Sequence, residues 1–115
     1  MSRMRLDQTV RQAIDRQRQR AGVESWFESK IGEGYEVPGL GFRLGLRQED
    51  VTLLTGAFVL AKEAAAAGFD VPALIDSDGR PHSLTLEQLT AVMLGYGHYR
   101  ASLSGEYASR LGSLE

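Results

Sequence analysis

Two histidines, His82 and His98, and no cysteine bound the metal chemistry open to this chain of 115 residues. Zinc sites draw on thiolates, imidazoles and carboxylates at set spacings, and neither histidine falls in an HExxH or HxxE pattern, so no metal ligand is expected. Asp76, Asp78 and Glu87 fall at the first, third and twelfth positions of a calcium loop, but Arg80 holds the fifth and Pro81 the sixth, where the loop requires glycine. An aspartate-stabilised turn is the better reading. Ser102 and Ser104 lie in a helical pattern without the GxSxG elbow of a nucleophile, and nothing in the spacing of Glu28, Glu33 and Glu36 selects them as an acid and base pair. The run GEGYEVPGLGF has neither GxGxxG nor GxxxxGK[ST], so its glycines are read as turn residues needing positive φ, not as a phosphate cradle. The residue chemistry therefore predicts no catalytic residue, no cofactor and no metal: not an enzyme.

The stretch that must position everything else is Val51 to Gly68. It carries Val51, Leu54, Phe58, Ala61 and Ala65 on one stripe and Leu53, Ala57, Leu60 and Ala64 on the next, so about two-thirds of the helix circumference can be buried. Such a helix is expected in the middle of a small domain, with Phe58 fully buried. Gln48, Glu49 and Asp50 suit its N-terminus, and Gly68 suits its end.

Around it, Leu6, Val10, Ala13, Ile14 and Ala21 recur at near four-residue steps among Gln and Arg, predicting a first helix over residues 3–21 that stops at Gly22. Its apolar stripe is thin, gaining about 1.5–3 kcal/mol for each of two or three buried side chains, too little to offset the cost of ordering the segment alone. Val23 to Ile31 fits a short strand or a turn of helix. Tyr35 and Val37, then Phe42, Leu44 and Leu46, alternate about Pro38-Gly39-Leu40-Gly41 and predict a β-hairpin with one apolar face. A second short hairpin or loop is centred on Asp76-Ser77-Asp78-Gly79. Thr85 and Gln88 form a capping box opening a last helix whose seam is Leu86, Leu89, Met93, Tyr96, Arg100, Leu103 and Tyr107. From Leu86 to Leu111 it would be about 39 Å long, against a radius of gyration near about 13 Å for a domain of this size, so its far half is expected to overhang the body. Gly95 and Gly97 point to a close crossing of helix backbones or a kink. The predicted fold is α+β: a small single domain of three helices, one β-hairpin and a second short hairpin or loop, divided into an Arg-rich helical arm (1–22) and a compact α+β domain with a long C-terminal helix (23–115).

Composition sets the outer limits. With 43% hydrophobic and 24% charged residues the chain has the make-up of one compact domain, and it contains no signal-peptide core or apolar run long enough to span a membrane. The net charge of −2 hides a segregation: six of the 13 basic residues (Arg3, Arg5, Arg11, Arg16, Arg18 and Arg20) precede residue 21, against only Asp7 and Asp15. The remainder is acidic, which weighs against general nucleic-acid binding, and arginine favours bidentate pairing with carboxylates of a partner. A small regulator carrying the Arg-rich helix to nucleic acid is the least favoured reading.

Taken in order, the Arg-rich helix ending in Ala21-Gly22, the hairpin ending in Pro38-Gly39-Leu40-Gly41-Phe42, Asp50 followed by Leu54-Thr55-Gly56-Ala57, the Asp78-Gly79 turn, and Leu84-Thr85 opening a helix that carries Gly97 form a pattern over residues 10–105. This pattern resembles the phage tail-fibre-associated domain of unknown function 4376 family. The resemblance implies a structural part of a tailed-phage virion, made in the host cytoplasm and sited at a tail fibre, baseplate or tail tip, and it supplies no catalytic residues. Its expected partners are other phage tail proteins and further copies of the chain, with no nucleic acid and no membrane span. Members of that family usually follow a long fibre segment; none is expected before the domain here, which keeps a separate adaptor, or a cytoplasmic tail-fibre assembly chaperone, as alternatives. The residues expected to meet partners are Leu6, Val10, Ile14, Arg16, Arg18 and Arg20 on the first helix and Tyr96, Tyr99, Arg100, Leu103 and Tyr107 on the last, with Arg100 beside a neighbour's carboxylate.

Overall fold

A computed structural model describes residues 2–114, with side chains described from Asp7 onward, as three helices and two small antiparallel hairpins, a small α+β domain. In chain order these are α1 (Ser2–Glu33), β1 (Tyr35–Glu36), β2 (Arg43–Leu44), α2 (Gln48–Ala66), β3 (Leu74–Ile75), β4 (Pro81–His82) and α3 (Leu86–Gly112). No helix among the described residues is long and apolar enough to cross a membrane.

The first helix does not stop at Gly22. It runs on to Glu33 and ends at Gly34, whose φ of +77° reverses the chain. The reason is tertiary packing: Trp26, Phe27 and Ile31 lie beyond Gly22 and meet the body, and their burial outweighs the roughly 1 kcal/mol that a glycine costs in a helix. Phe27 packs against Tyr107 with the rings tilted and their centroids 4.4 Å apart, and the Arg110 guanidinium lies 3.9 Å over the Trp26 ring. Residue numbers rise along α1 as they fall along α3, so the two helices pack antiparallel.

This contact corrects the expectation for the last helix. Its far half does not overhang; α1 covers it, and Leu103 is buried. Residues 7–22 of α1 project instead, exposed at every position. The molecule therefore measures 78 × 23 × 21 Å, and its radius of gyration is 20.7 Å. The division at residue 22 is accordingly a change in surroundings within one continuous helix.

Both hairpins form as expected. Tyr35 pairs with Leu44 and Glu36 with Arg43 about the Pro38–Gly41 turn, in which Gly39 and Gly41 have φ of +78° and +75°. The apolar face of this hairpin, Val37, Phe42, Leu44 and Leu46, is buried and forms the centre of the core with Leu54, Leu74, Leu89, Val92 and Tyr96. The second hairpin pairs Leu74 with His82 and Ile75 with Pro81, and its Ser77 amide donates to the Arg43 carbonyl at 2.9 Å, joining the two hairpins. Thr85 and Gln88 exchange the reciprocal hydrogen bonds of a capping box at the start of α3.

α3 runs unbroken through both of its central glycines, and their expected role is corrected. A methyl group at Gly95 would lie 2.7 Å from the Tyr35 hydroxyl oxygen, so the close neighbour is an aromatic side chain of β1 and not another helix. Tyr35 cannot easily withdraw, because it is held edge-on to Tyr96 and against Tyr99 at 5.9 and 5.3 Å. Gly97 has open space where its methyl would stand. The two positions therefore predict opposite signs. Gly97→Ala should stabilise by up to about 1 kcal/mol through helix propensity, whereas Gly95→Ala should cost about 1–3 kcal/mol through overpacking. Tyr35→Phe, which removes the obstructing oxygen, should recover much of the Gly95→Ala loss. Urea denaturation of the four proteins measures these terms, and equal effects at the two glycines would contradict the packing described.

Candidate functional site

α2 begins where Asp50 turns back to accept a hydrogen bond from the Arg47 amide at 3.1 Å, with Glu49 also in the first turn. It ends at Ala66, and two residues on Gly68 donates its amide to the Ala65 carbonyl with a φ of +83°. Between these ends the helix buries only a narrow stripe. Leu54 and Ala61 are in the core, and Val51 and Phe58 are partly covered. The expectation that Phe58 is fully buried is corrected: the ring lies at the rim with the Lys62 ammonium 5.0 Å from its centroid.

The second stripe is left uncovered. Leu53 is 70% exposed and Leu60 61%, and Ala57 between them is exposed too. The body has only α3 and two hairpins with which to cover α2, and these reach a single side of it. Grooves flank the helix on both sides. One of about 360 Å³ runs between α2 and the second hairpin, lined by Leu53, Leu54, Ala57, Leu74 and the exposed Ile75. The other, of about 410 Å³, runs between α2 and α3, lined by Thr55, Phe58, Met93, Leu94, Gly97 and Ala101. Leu94 at its edge is 70% exposed. Isolated apolar side chains are ordinary on a protein surface, but apolar side chains aligned along a folded helix and bordered by apolar grooves form a surface suited to another protein.

The residues expected to meet partners divide sharply. On α1, Val10, Ile14, Arg16, Arg18 and Arg20 are all exposed; Leu6 lies outside the residues whose side chains are described. On α3 the set is turned inward. Tyr96 is 2% exposed and donates its hydroxyl to the Gly45 carbonyl at 2.6 Å, and Leu103 is buried. Burial, with the Asp50 carboxylate adding to it, pushes the Tyr96 hydroxyl up to about 12, so it remains a proton donor at neutral pH. Tyr99 rests on Tyr35 and Tyr107 on Phe27. Arg100 needs no neighbouring carboxylate: its Nε donates to the Leu46 carbonyl at 2.9 Å, a terminal nitrogen donates to Ser104, and its guanidinium lies 5.5 Å from the Phe27 ring centroid. These contacts occupy the seam within the chain's own fold.

One pair of titratable groups has the look of acid and base. Asp76 is buried, and its Oδ2 lies 2.7 Å from His82 Nε2. Its other oxygen accepts from the amides of Asp78 and Arg80, both at 2.9 Å, and the imidazole stacks on Phe42 at 3.8 Å. All of these bonds serve to close the turn and to hold it against the first hairpin. The hydrogen bond from His82, then that from the Arg80 amide, keep the Asp76 carboxyl below the usual carboxylate range. No cluster of three or more metal-ligating side chains occurs among the described residues.

Comparisons of the chain with protein-family models, with curated proteins and with solved structures returned no match. The surface on α2 therefore stands on its own geometry.

Neighbouring leucines on that helix give a direct check. Leu54→Ala should cost about 2–5 kcal/mol, as for other buried leucines, while Leu53→Ala should change stability by no more than about 0.5 kcal/mol. Thermal denaturation distinguishes them. The Asp76 turn sets an acid limb: because the folded carboxyl titrates below its unfolded value, its stabilising contribution is complete above about pH 4 and is lost as pH falls through the folded value. Asp76→Asn should flatten that limb of a stability against pH curve, and an unchanged acid slope would assign the loss to other carboxyls.

Proposed function

We propose that this chain is a non-enzymatic structural component of a tailed-phage virion, at a tail fibre, baseplate or tail tip, which binds other tail proteins through exposed helical faces. The observation that carries the binding role is the stripe of Leu53, Ala57 and Leu60, left open on a helix whose adjacent stripe is fixed in the core. Side chains of this kind gain free energy when a partner removes them from water, about 25 cal/mol for each Å² of apolar surface. The elongated outline, 78 Å in its longest dimension, suits a connecting part that must reach between neighbours. The order of motifs from the Arg-rich helix to the Gly97 helix, which resembles the phage tail-fibre-associated family, supports the placement in a virion. Self-association is part of the proposal, with the exposed arm of α1 gripping a neighbour.

Mass spectrometry of purified virions tests the placement. Peptides of this chain should be present at a fixed ratio to tail proteins and should remain after a high-salt wash. Presence in infected-cell lysate but absence from virions would make it an assembly factor instead. Leu53→Asp with Leu60→Asp should leave the circular dichroism spectrum and melting temperature close to those of the parent, yet reduce incorporation into particles.

A further inference from the structure

Residues 7–22 of α1 form a helical arm in which every side chain is exposed. Helices of this length are marginal in water without a packing partner, and this one carries its own short apolar stripe, Val10, Ile14 and Ala21, interrupted by the polar Gln17, with Val10 54% and Ile14 43% exposed. On a helical wheel the stripe is turned by about 120° from the mean direction of Trp26, Phe27 and Ile31, the side chains that α1 packs on the body. Since α1 is one continuous helix, α3 packs on its other side; just past the end of α3, Leu114 lines a groove with Arg16, Gln17 and Arg20, and Val10, Ile14 and Ala21 stay exposed.

The uncovered stripe of α2 has the same geometry. Leu53, Ala57 and Ala64 stand at the same four- and seven-residue steps as Val10, Ile14 and Ala21, over about 16 Å of helix, with Leu60 opposite the polar Gln17 and Ala64 half-covered by its own domain. Their flanks are opposite in charge. Arg11 and Arg18 border the stripe on α1, Glu49 and Glu63 border that on α2, and none of these four makes an ion pair among the described residues. The arm as a whole has four arginines against two aspartates, while residues 21–115 have seven basic residues against thirteen acidic ones.

We infer that the occupant of the α2 face is a second copy of this chain, whose α1 arm lies along Leu53–Ala64 with Arg11 and Arg18 toward Glu49 and Glu63. The inference rests on the self-association included in the proposed function and names the two surfaces that make it. One contact of this kind removes both unpartnered stripes from water and pairs two segregated charge patches, which a partner matched to only one stripe would not do. The surfaces are different parts of the chain, so two copies can exchange arms in a closed dimer or successive copies can join in a ring.

Light scattering on the purified full-length chain at micromolar concentration reads the result. The parent should show the mass of two or more chains. Arg11→Glu with Arg18→Glu, and separately Glu49→Arg with Glu63→Arg, should each fall to the mass of one chain while keeping the helical circular dichroism of the parent, since all four positions lie outside the core. An equimolar mixture of the two variants should regain the larger mass, because each supplies the surface that matches the other. The absence of native cysteine adds a geometric readout: Ile14→Cys on one copy and Ala57→Cys on another should form an intermolecular disulfide on mild oxidation. A parent that stays monomeric, variants that keep the larger mass, or a mixture that fails to recover it would each overturn the inference. If the arm exchange holds but the chain is missing from virions, only the tail placement fails; if the chain is in virions but monomeric by itself, only the arm exchange fails.

Discussion

α3 holds the connection between the first hairpin and α2 by the bare backbone. The Tyr96 hydroxyl and the Arg100 guanidinium reach two consecutive carbonyls, those of Gly45 and Leu46, one turn apart on α3. Both carbonyls lie where the chain leaves β2 and has not yet entered α2, so neither has a ladder or a helix to supply a donor. A buried carbonyl without a partner costs about 1–3 kcal/mol, and a hydrogen bond from a charged donor is worth more than a neutral one. The two bonds fix the start of α2 against α3, and with it the direction in which Leu54 enters the core and Leu53 leaves it. The tight approach at Gly45, where a side chain would strike the Asp50 carboxylate, sharpens the same corner.

The parts of the fold that depend on local chemistry were legible in the sequence. The Pro38–Gly41 turn, the Thr85 capping box and the alternation of Phe42, Leu44 and Leu46 each carry their own signal within a few residues. The end of α1 did not, because Gly22 and Gly34 offer the same stop and only the packing of Trp26 and Phe27 on α3 decides between them. The partner of Arg100 was not legible either, for a related reason. A charge within an apolar seam calls for a partner, and the sequence gives no hint that a carbonyl 54 residues away will serve in place of a neighbour's carboxylate.

The proposed interaction surface was half legible. An exposed Arg-rich helix with a thin stripe could be read from residues 1–22, but the face of α2 could not. Its two apolar stripes look alike in sequence, and periodicity does not say how much covering material the rest of a small domain possesses. Two hairpins of two-residue strands and one long helix bury Leu54 and Ala61 and nothing further round. The surplus of apolar surface over available cover is what marks the site.

The continuity of α1 through Gly22 couples distance to angle. Each residue between the arm and the body contributes about 1.5 Å of reach and about 100° of rotation, so the helix acts as a threaded shaft between two bearing surfaces. A single residue inserted near Gly22 would leave the contacts of Trp26 and Phe27 intact and would lengthen the arm by little, but it would turn Val10 and Ile14 by more than a quarter of a circle. An insertion of seven residues would nearly restore the phase and displace the stripe outward by about 10 Å. The body thus sets the bearing of the arm as well as its position, and lineages carrying arms of different length would be expected to differ in steps that return close to whole turns of the helix.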